Sequence, residues 1–165
     1  MKRVDDVVER PRAWLPFVLG AAAGIAATVA VFAPRDEGVP EQRRLALLDV
    51  QGTARIDWKP GPSELHGKPD GDVVWHSGLQ QGFLRIRGLA PLPKEQQYQL
   101  WIVDGNRTGA PVDGGLFDLA DGNEHVVPIT ARLPVGAAKA FVVTVEPRGG
   151  VVVSEQKDVV AIASR

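Results

Sequence analysis

Hydrophobic and polar positions follow two rhythms along this chain. From Trp14 to Ala33 the run WLPFVLGAAAGIAATVAVFA is unbroken, and no charged residue falls between Arg12 and Arg35. Beyond residue 44 the apolar residues recur in short runs, several of them alternating, separated by Gly, Pro, Asn and Asp. The first rhythm predicts a single transmembrane helix. Its 20 residues at ~1.5 Å of rise each cover the ~30 Å hydrocarbon core. Pro16 stands in the first turn, where a missing N–H does little harm, and Trp14 and Phe32 fall near the two interfaces. Lys2, Arg3, Arg10 and Arg12 precede the run, opposed by Asp5, Asp6 and Glu9, while Arg35 is followed at once by Asp36 and Glu37. This balance orients the N-terminus to the cytoplasm and residues from about 35 onward to the outside. A cleaved signal peptide ending near Thr28–Ala30 is the alternative, but the apolar run exceeds the ~7–15 residues of a usual signal core. Gly20 and Gly24 have the spacing at which membrane helices approach closely, although an alanine-rich helix produces that spacing without any dimer.

The second rhythm predicts a mainly β fold, an antiparallel β-sandwich of about immunoglobulin size. Strands are expected at Val73–His76, Phe83–Arg87, Tyr98–Val103, Gly115–Leu119, His125–Ile129, Ala140–Glu146, Gly150–Val153 and Val159–Ile162, with another one or two between Leu45 and Asp57. In GFLRIRG, Leu84 and Ile86 would face the core, while Phe83, Arg85 and Arg87 share the other face, with both arginines in water. YQLWIV, residues 98–103, is apolar on both faces and suits a central strand, with the Trp101 indole N–H needing a partner. Asp104-Gly105 and Asp121-Gly122 carry hairpin-turn signals. PGPSELHGKPDGD, residues 60–72, reads as an exposed loop. The organisation expected is a cytoplasmic tail over 1–13, the membrane helix over 14–33, a polar tether over 34–44 open to proteolysis, and the extracytoplasmic β domain over 45–165.

Composition narrows the chemistry. Nineteen Lys and Arg stand against 20 Asp and Glu, so no basic footprint for nucleic acid is present. The chain has no cysteine, which removes disulfides, thiol catalysis and Cys-ligated zinc. His66, His76 and His125 fall on a loop and two different strands, without a spacing that puts two ligands on one metal. Ser63, Ser77 and Ser154 lack a nucleophile-elbow context. Asp70, Asp72, Asp104, Asp113, Asp118 and Asp121 lie in or beside Gly-bearing turns, where Asp serves the backbone. Neither a catalytic constellation nor a cofactor site is expected.

Three stretches taken together carry a resemblance. QYQLWIVDG (97–105), VDGGLFDL (112–119) and AFVVTVEPRGGVVVSE (140–155) resemble, in order and spacing, the extracytoplasmic domain of the anti-sigma-K factor family. The matching residues are Tyr98, Leu100 and Trp101; Gly115, Leu116 and Phe117; and Val143, Thr144, Glu146, Pro147, Gly149 and Gly150. The resemblance implies a single-pass regulator of the bacterial inner membrane. Its partners would be an extracytoplasmic-function sigma factor, bound through this polypeptide or a separate anti-sigma subunit, and an intramembrane or envelope protease that releases the sigma. Residues 45–165 would be the outer, sensing or protecting part. The 13 residues before Trp14 leave no room for a helical sigma-binding domain: either the start lies further upstream, or a separate protein supplies that domain, or this member has lost sigma binding.

A different class of function is also compatible with the sequence: an exported, membrane-tethered sandwich that binds an envelope ligand or protein, without a transcriptional role. The loop 60–72 and the tryptophans Trp58 and Trp75 motivate it, since exposed Trp favours recognition. The competing reading buries both tryptophans at strand ends.

Overall fold

In the computed structural model the chain divides into two units, residues 1–35 and 36–165, and the structure describes residues 39–165. The expected membrane helix, with Gly20 and Gly24, and the cytoplasmic tail lie outside the described residues. Among the described residues no helix is long and apolar enough to cross a membrane.

The second unit is mainly β. A helix α1 (Pro40–Leu48) is followed by nine strands: β1 (Ala54–Asp57), β2 (Lys59–Pro60), β3 (Gly67–His76), β4 (Gln81–Leu89), β5 (Gln96–Asp104), β6 (Val112–Phe117), β7 (His125–Pro128), β8 (Ala138–Pro147) and β9 (Val159–Ser164). They form two sheets, β1-β3-β4-β7 and β2-β9-β8-β5-β6, in which every pairing is antiparallel. Alternation explains the core. Val73 and Trp75 of β3 and Leu84 and Ile86 of β4 join Tyr98, Leu100 and Ile102 of β5 and Phe141 and Val143 of β8 in one apolar cluster drawn from both sheets. Trp75 meets Phe141 with ring centroids 6.0 Å apart, and Tyr98 stacks on Phe117 at 5.4 Å.

Several expectations are corrected. The segment 40–48, expected to finish the tether and begin a strand, is helical. Only Ala54–Asp57 of the 45–57 stretch is a strand paired to β3. The supposed loop 60–72 contains the first half of β3. Pro69 is accommodated by a register irregularity between Gly67 and Asp70, which leaves it out of the ladder, and Pro60 belongs to β2. At Gly71, with φ of +122°, a Cβ would sit 2.2 Å from the Arg85 carbonyl oxygen; only glycine permits that approach. Trp58 and Trp75 are both buried, their indole N–H groups donating to the Arg85 carbonyl and the Ser77 hydroxyl, each at 3.1 Å. Residues 150–153 form no strand. Neither Asp-Gly pair closes a two-residue hairpin: seven residues separate β5 from β6, and the 121–122 turn lies between β6 in one sheet and β7 in the other.

Each sheet has an outer face covered by a segment that belongs to no sheet. α1 covers the first, where Leu47 packs on Val74 and Phe83 with Leu48 and Val126 beside them. Residues 148–158, here called the strap, cover the second.

Candidate functional site

The strap is built from β5 outward. On the side of β5 away from the core, residues 97, 99 and 101 follow one another at the period of a strand. The Gln97 side-chain oxygen accepts from the Gly149 N–H at 3.3 Å. Gln99 does more: its Oε1 accepts from the Val151 N–H at 3.0 Å, and its Nε2 donates to the Val151 carbonyl at 3.1 Å. One side chain thereby satisfies both polar groups of a backbone unit with no neighbouring strand. Beneath the strap Trp101 packs with Val142 and Val159, against Val151 and Ile162.

From Trp101 a chain of hydrogen bonds runs outward. Its indole N–H donates to Thr144 Oγ1 at 2.9 Å, and the Thr144 hydroxyl donates to Glu146 Oε1 at 2.8 Å. The same Glu146 oxygen accepts from the Ser154 hydroxyl, and Ser154 Oγ accepts from the Gln156 N–H at 2.9 Å. The turn into the strap is set by Gly149 and Gly150, with φ of +91° and +71°, and by the Gly150 N–H donating to the Pro147 carbonyl at 2.9 Å. A Cβ at Gly150 would lie 2.7 Å from Leu116 Cδ2 and 2.9 Å from Gln99 Oε1. Arg148 anchors the turn by donating from Nη1 and Nη2 to the two carboxylate oxygens of Asp118, at 3.1 and 3.2 Å. At the far end the strap returns to the sheet, where the Val145 N–H donates to the Asp158 carbonyl at 3.0 Å.

The residues singled out by sequence thus separate into two groups. Trp101, Thr144, Glu146, Pro147, Gly149 and Gly150 come together at the strap. Tyr98, Leu100 and Phe117 lie in the core between the sheets, with the Tyr98 hydroxyl donating to the Ala90 carbonyl at 2.7 Å. Burial, aided by the Asp158 charge, pushes the Tyr98 phenol up to about 12. Gly115, with φ of +114°, sits where the β5–β6 register shifts between Leu100 and Trp101. Sequence reasoning passed over Gln97 and Gln99. The available signal was two amides at alternate positions of an otherwise apolar strand, on the Trp101 side.

Grooves flank the strap. One, of about 430 Å³, lies between Gly149–Val152 and the Arg132-Leu133 segment; the other, of about 330 Å³, is lined by Glu146, Val153 and Asp158 among others. Val152 projects from the strap at 92% exposure. Both hydroxyls that meet the Glu146 carboxylate, those of Thr144 and Ser154, are tied into the strap network, and among the described residues no three His, Cys, Asp or Glu side chains converge as a metal site. What it offers is a surface whose shape depends on the strap staying down.

Known proteins resemble this chain along most of its length. The family model described as anti-sigma-K factor rskA, C-terminal, matches residues 18–156. The chain belongs to that anti-sigma-K family. A relative from Streptomyces griseus, described as "Uncharacterized protein in phr 5'region", is 30% identical over 146 residues, spanning 83% of this chain and 58% of its own length. This anti-sigma-K chain therefore covers less than two thirds of that relative. No solved structure matches it.

A second polar cluster lies on the opposite sheet. Asp72 of β3 is fully buried, with Arg44 of α1 on Oδ1 and, on Oδ2, Arg55 of β1 at 2.9 Å and Arg85 of β4 at 2.8 Å. Arg85 also reaches Glu124 at 3.1 Å. The expectation that Arg85 and Arg87 both face water holds for Arg87, which pairs with exposed Asp70, but not for Arg85. Burial pushes the Asp72 carboxyl up. The hydrogen bonds and charges of Arg85 and Arg44 outweigh it, so the net direction is down.

Proposed function

We propose that this chain is the membrane-anchored, outer portion of an anti-sigma-K-type regulator of an extracytoplasmic-function sigma factor. In this reading residues 14–33 cross the bacterial inner membrane with the N-terminus in the cytoplasm. The two sheets close into a sandwich on the outside, which senses a signal or shields the protein from regulated proteolysis. The sigma factor is held by this polypeptide or by a separate anti-sigma subunit, and an intramembrane or envelope protease ends the inhibition. The observation that carries the proposal is the family match, which runs from within the apolar stretch through the whole strap turn. The uncharged Trp14–Ala33 run supports the anchor on physical grounds.

A topology assay tests it. Alkaline phosphatase fused after residue 38 or after Arg165 is expected to be active, and green fluorescent protein at the same points dark, with both fusions in the membrane fraction. Soluble, cytoplasmic fusions would overturn the anchor. In a strain carrying the cognate sigma factor, deletion of the gene is expected to raise sigma-dependent transcription; unchanged transcription would remove the regulatory role.

The binding-module reading keeps one supporting observation, the exposed Val152 and Leu133 that line the larger groove. Burial of Trp58 and Trp75 takes away the tryptophans that first suggested it.

A further inference from the structure

α1 is held to the first sheet by few contacts for its length. Of its nine residues only Arg44 and Leu47 are buried, and Leu45 is half exposed. No side chain caps its N-terminus and no basic residue stands in its last turn. An isolated helix shorter than ~12–15 residues is marginal in water, so α1 is helical because it is docked.

The docking uses two kinds of contact. Leu47 enters the small patch of Val74 and Phe83, and the Arg43 guanidinium lies 5.5 Å from the Phe83 ring centroid. Arg44 binds Asp72. The second contact is arranged so that it can be broken. Removing the sole partner of a buried carboxylate strands a charge, but Asp72 keeps Arg55 and Arg85, both carried by the sheet itself. On release Arg44 enters water, where its Nε, buried without a partner in the docked state, gains one. Glu41 Oε2 is in the same position. The larger cluster between the sheets includes no α1 residue, so undocking leaves that core intact.

We propose that α1 is a releasable latch. It leaves the first sheet while both sheets stay folded, and this local opening presents the segment around residues 40–53 to a protease as extended chain. The proteolytic role rests on the function proposed above; the opening is a property of the domain alone. Cleavage of such a segment follows the population of the open form whenever closing is faster than cutting, so Arg44 and Leu47 would set the rate.

Amide hydrogen exchange on the full chain in mild detergent, measured across a denaturant series, tests the opening. Amides of residues 44–50 are expected to exchange at least about tenfold faster than those of β5 and β8, and with little denaturant dependence. In Arg44→Ala and in Leu47→Ala, exchange in α1 and thermolysin cutting before Leu45, Leu47 or Leu48 are expected to rise a further tenfold or so, with β5 and β8 unchanged. Exchange of α1 only together with β5 and β8 would refute the latch, as would either substitution loosening the whole domain. Should the latch open as described while Arg44→Ala leaves sigma release in cells unaltered, the proteolytic role fails and the latch stands.

Discussion

Gln99 shows what a single side chain can do in this fold. Fully buried in the middle of β5, it takes the place of a neighbouring strand for Val151 by donating to its carbonyl and accepting from its N–H. Gln99→Leu keeps the volume roughly constant but leaves two backbone groups of the strap without partners. Unpaired groups cost about 1–3 kcal/mol each when they stay buried; partial lifting of the strap would reduce the loss. The expected outcome is a destabilisation of about 2–3 kcal/mol in chemical denaturation, with faster amide exchange confined to residues 149–156. This residue also marks a limit of what sequence could reveal. The pattern of YQLWIV announces a central strand, and the structure agrees. It does not announce that the polar residue among the apolar ones supports a strap some 50 positions away, because the partner is a backbone unit and carries no side-chain signature.

At the scale of elements, the apolar strands were legible and the two covers were not. β4 alternates around Leu84 and Ile86, β5 and β8 carry near-continuous apolar runs, and all three lie within a residue or two of where the pattern puts them. α1, read as PEQRRLALL, looks like polar tether because its buried positions include an arginine, and the reason for burying it is Asp72, 28 positions away. The first half of β3 was hidden by Pro69 and by glycines that local reasoning assigns to loops, whereas here they permit close strand approach. The strap looked like a strand because VVV has high β propensity. Gly149 and Gly150, both at positive φ, turn it off the ladder. Gly150→Ala tests that turn. The added Cβ must coexist with Leu116 and Gln99 in a left-handed backbone, at a cost of about 1–2 kcal/mol. Gly149→Ala, where a Cβ meets nothing within 4 Å, should cost only the backbone part, about 1 kcal/mol. Thermal denaturation of the two variants side by side checks the difference; equal losses would show that contact with Gln99 and Leu116 is irrelevant.

For the whole molecule, acid is the revealing condition. Among the described residues four carboxylates are held below their ordinary value of 3.8: Asp70 by hydrogen bonding to Arg87, Asp121 by the Asn123 N–H and His125, Asp104 by three backbone N–H groups of Asn106, Gly136 and Ala137, and Asp72 as described. A group whose folded value is depressed adds stability above its unfolded value and loses it as pH falls through the folded one. The melting temperature is therefore expected to be level from pH 7 to about 5 and to fall below about pH 4. Asp104→Asn should lower the plateau and flatten part of the acid limb, since its link between the end of β5 and the 136–137 turn no longer depends on ionisation. A melting temperature that climbs on acidification would contradict the geometry of all four sites.

The margins of the larger sheet carry a consequence of their own. One ends in Lys59-Pro60, a two-residue strand closed by a residue that lacks an amide hydrogen. At the other, Thr130 and Arg132 already donate to the carbonyls of Gly114 and Asp113, occupying the side of β6 that a newcomer would use. Neighbouring copies crowded into one plane thus find no lateral foothold for stacking strand upon strand. A partner that approaches the larger sheet therefore meets the glutamine-held strap on its outer surface before it meets an open strand edge.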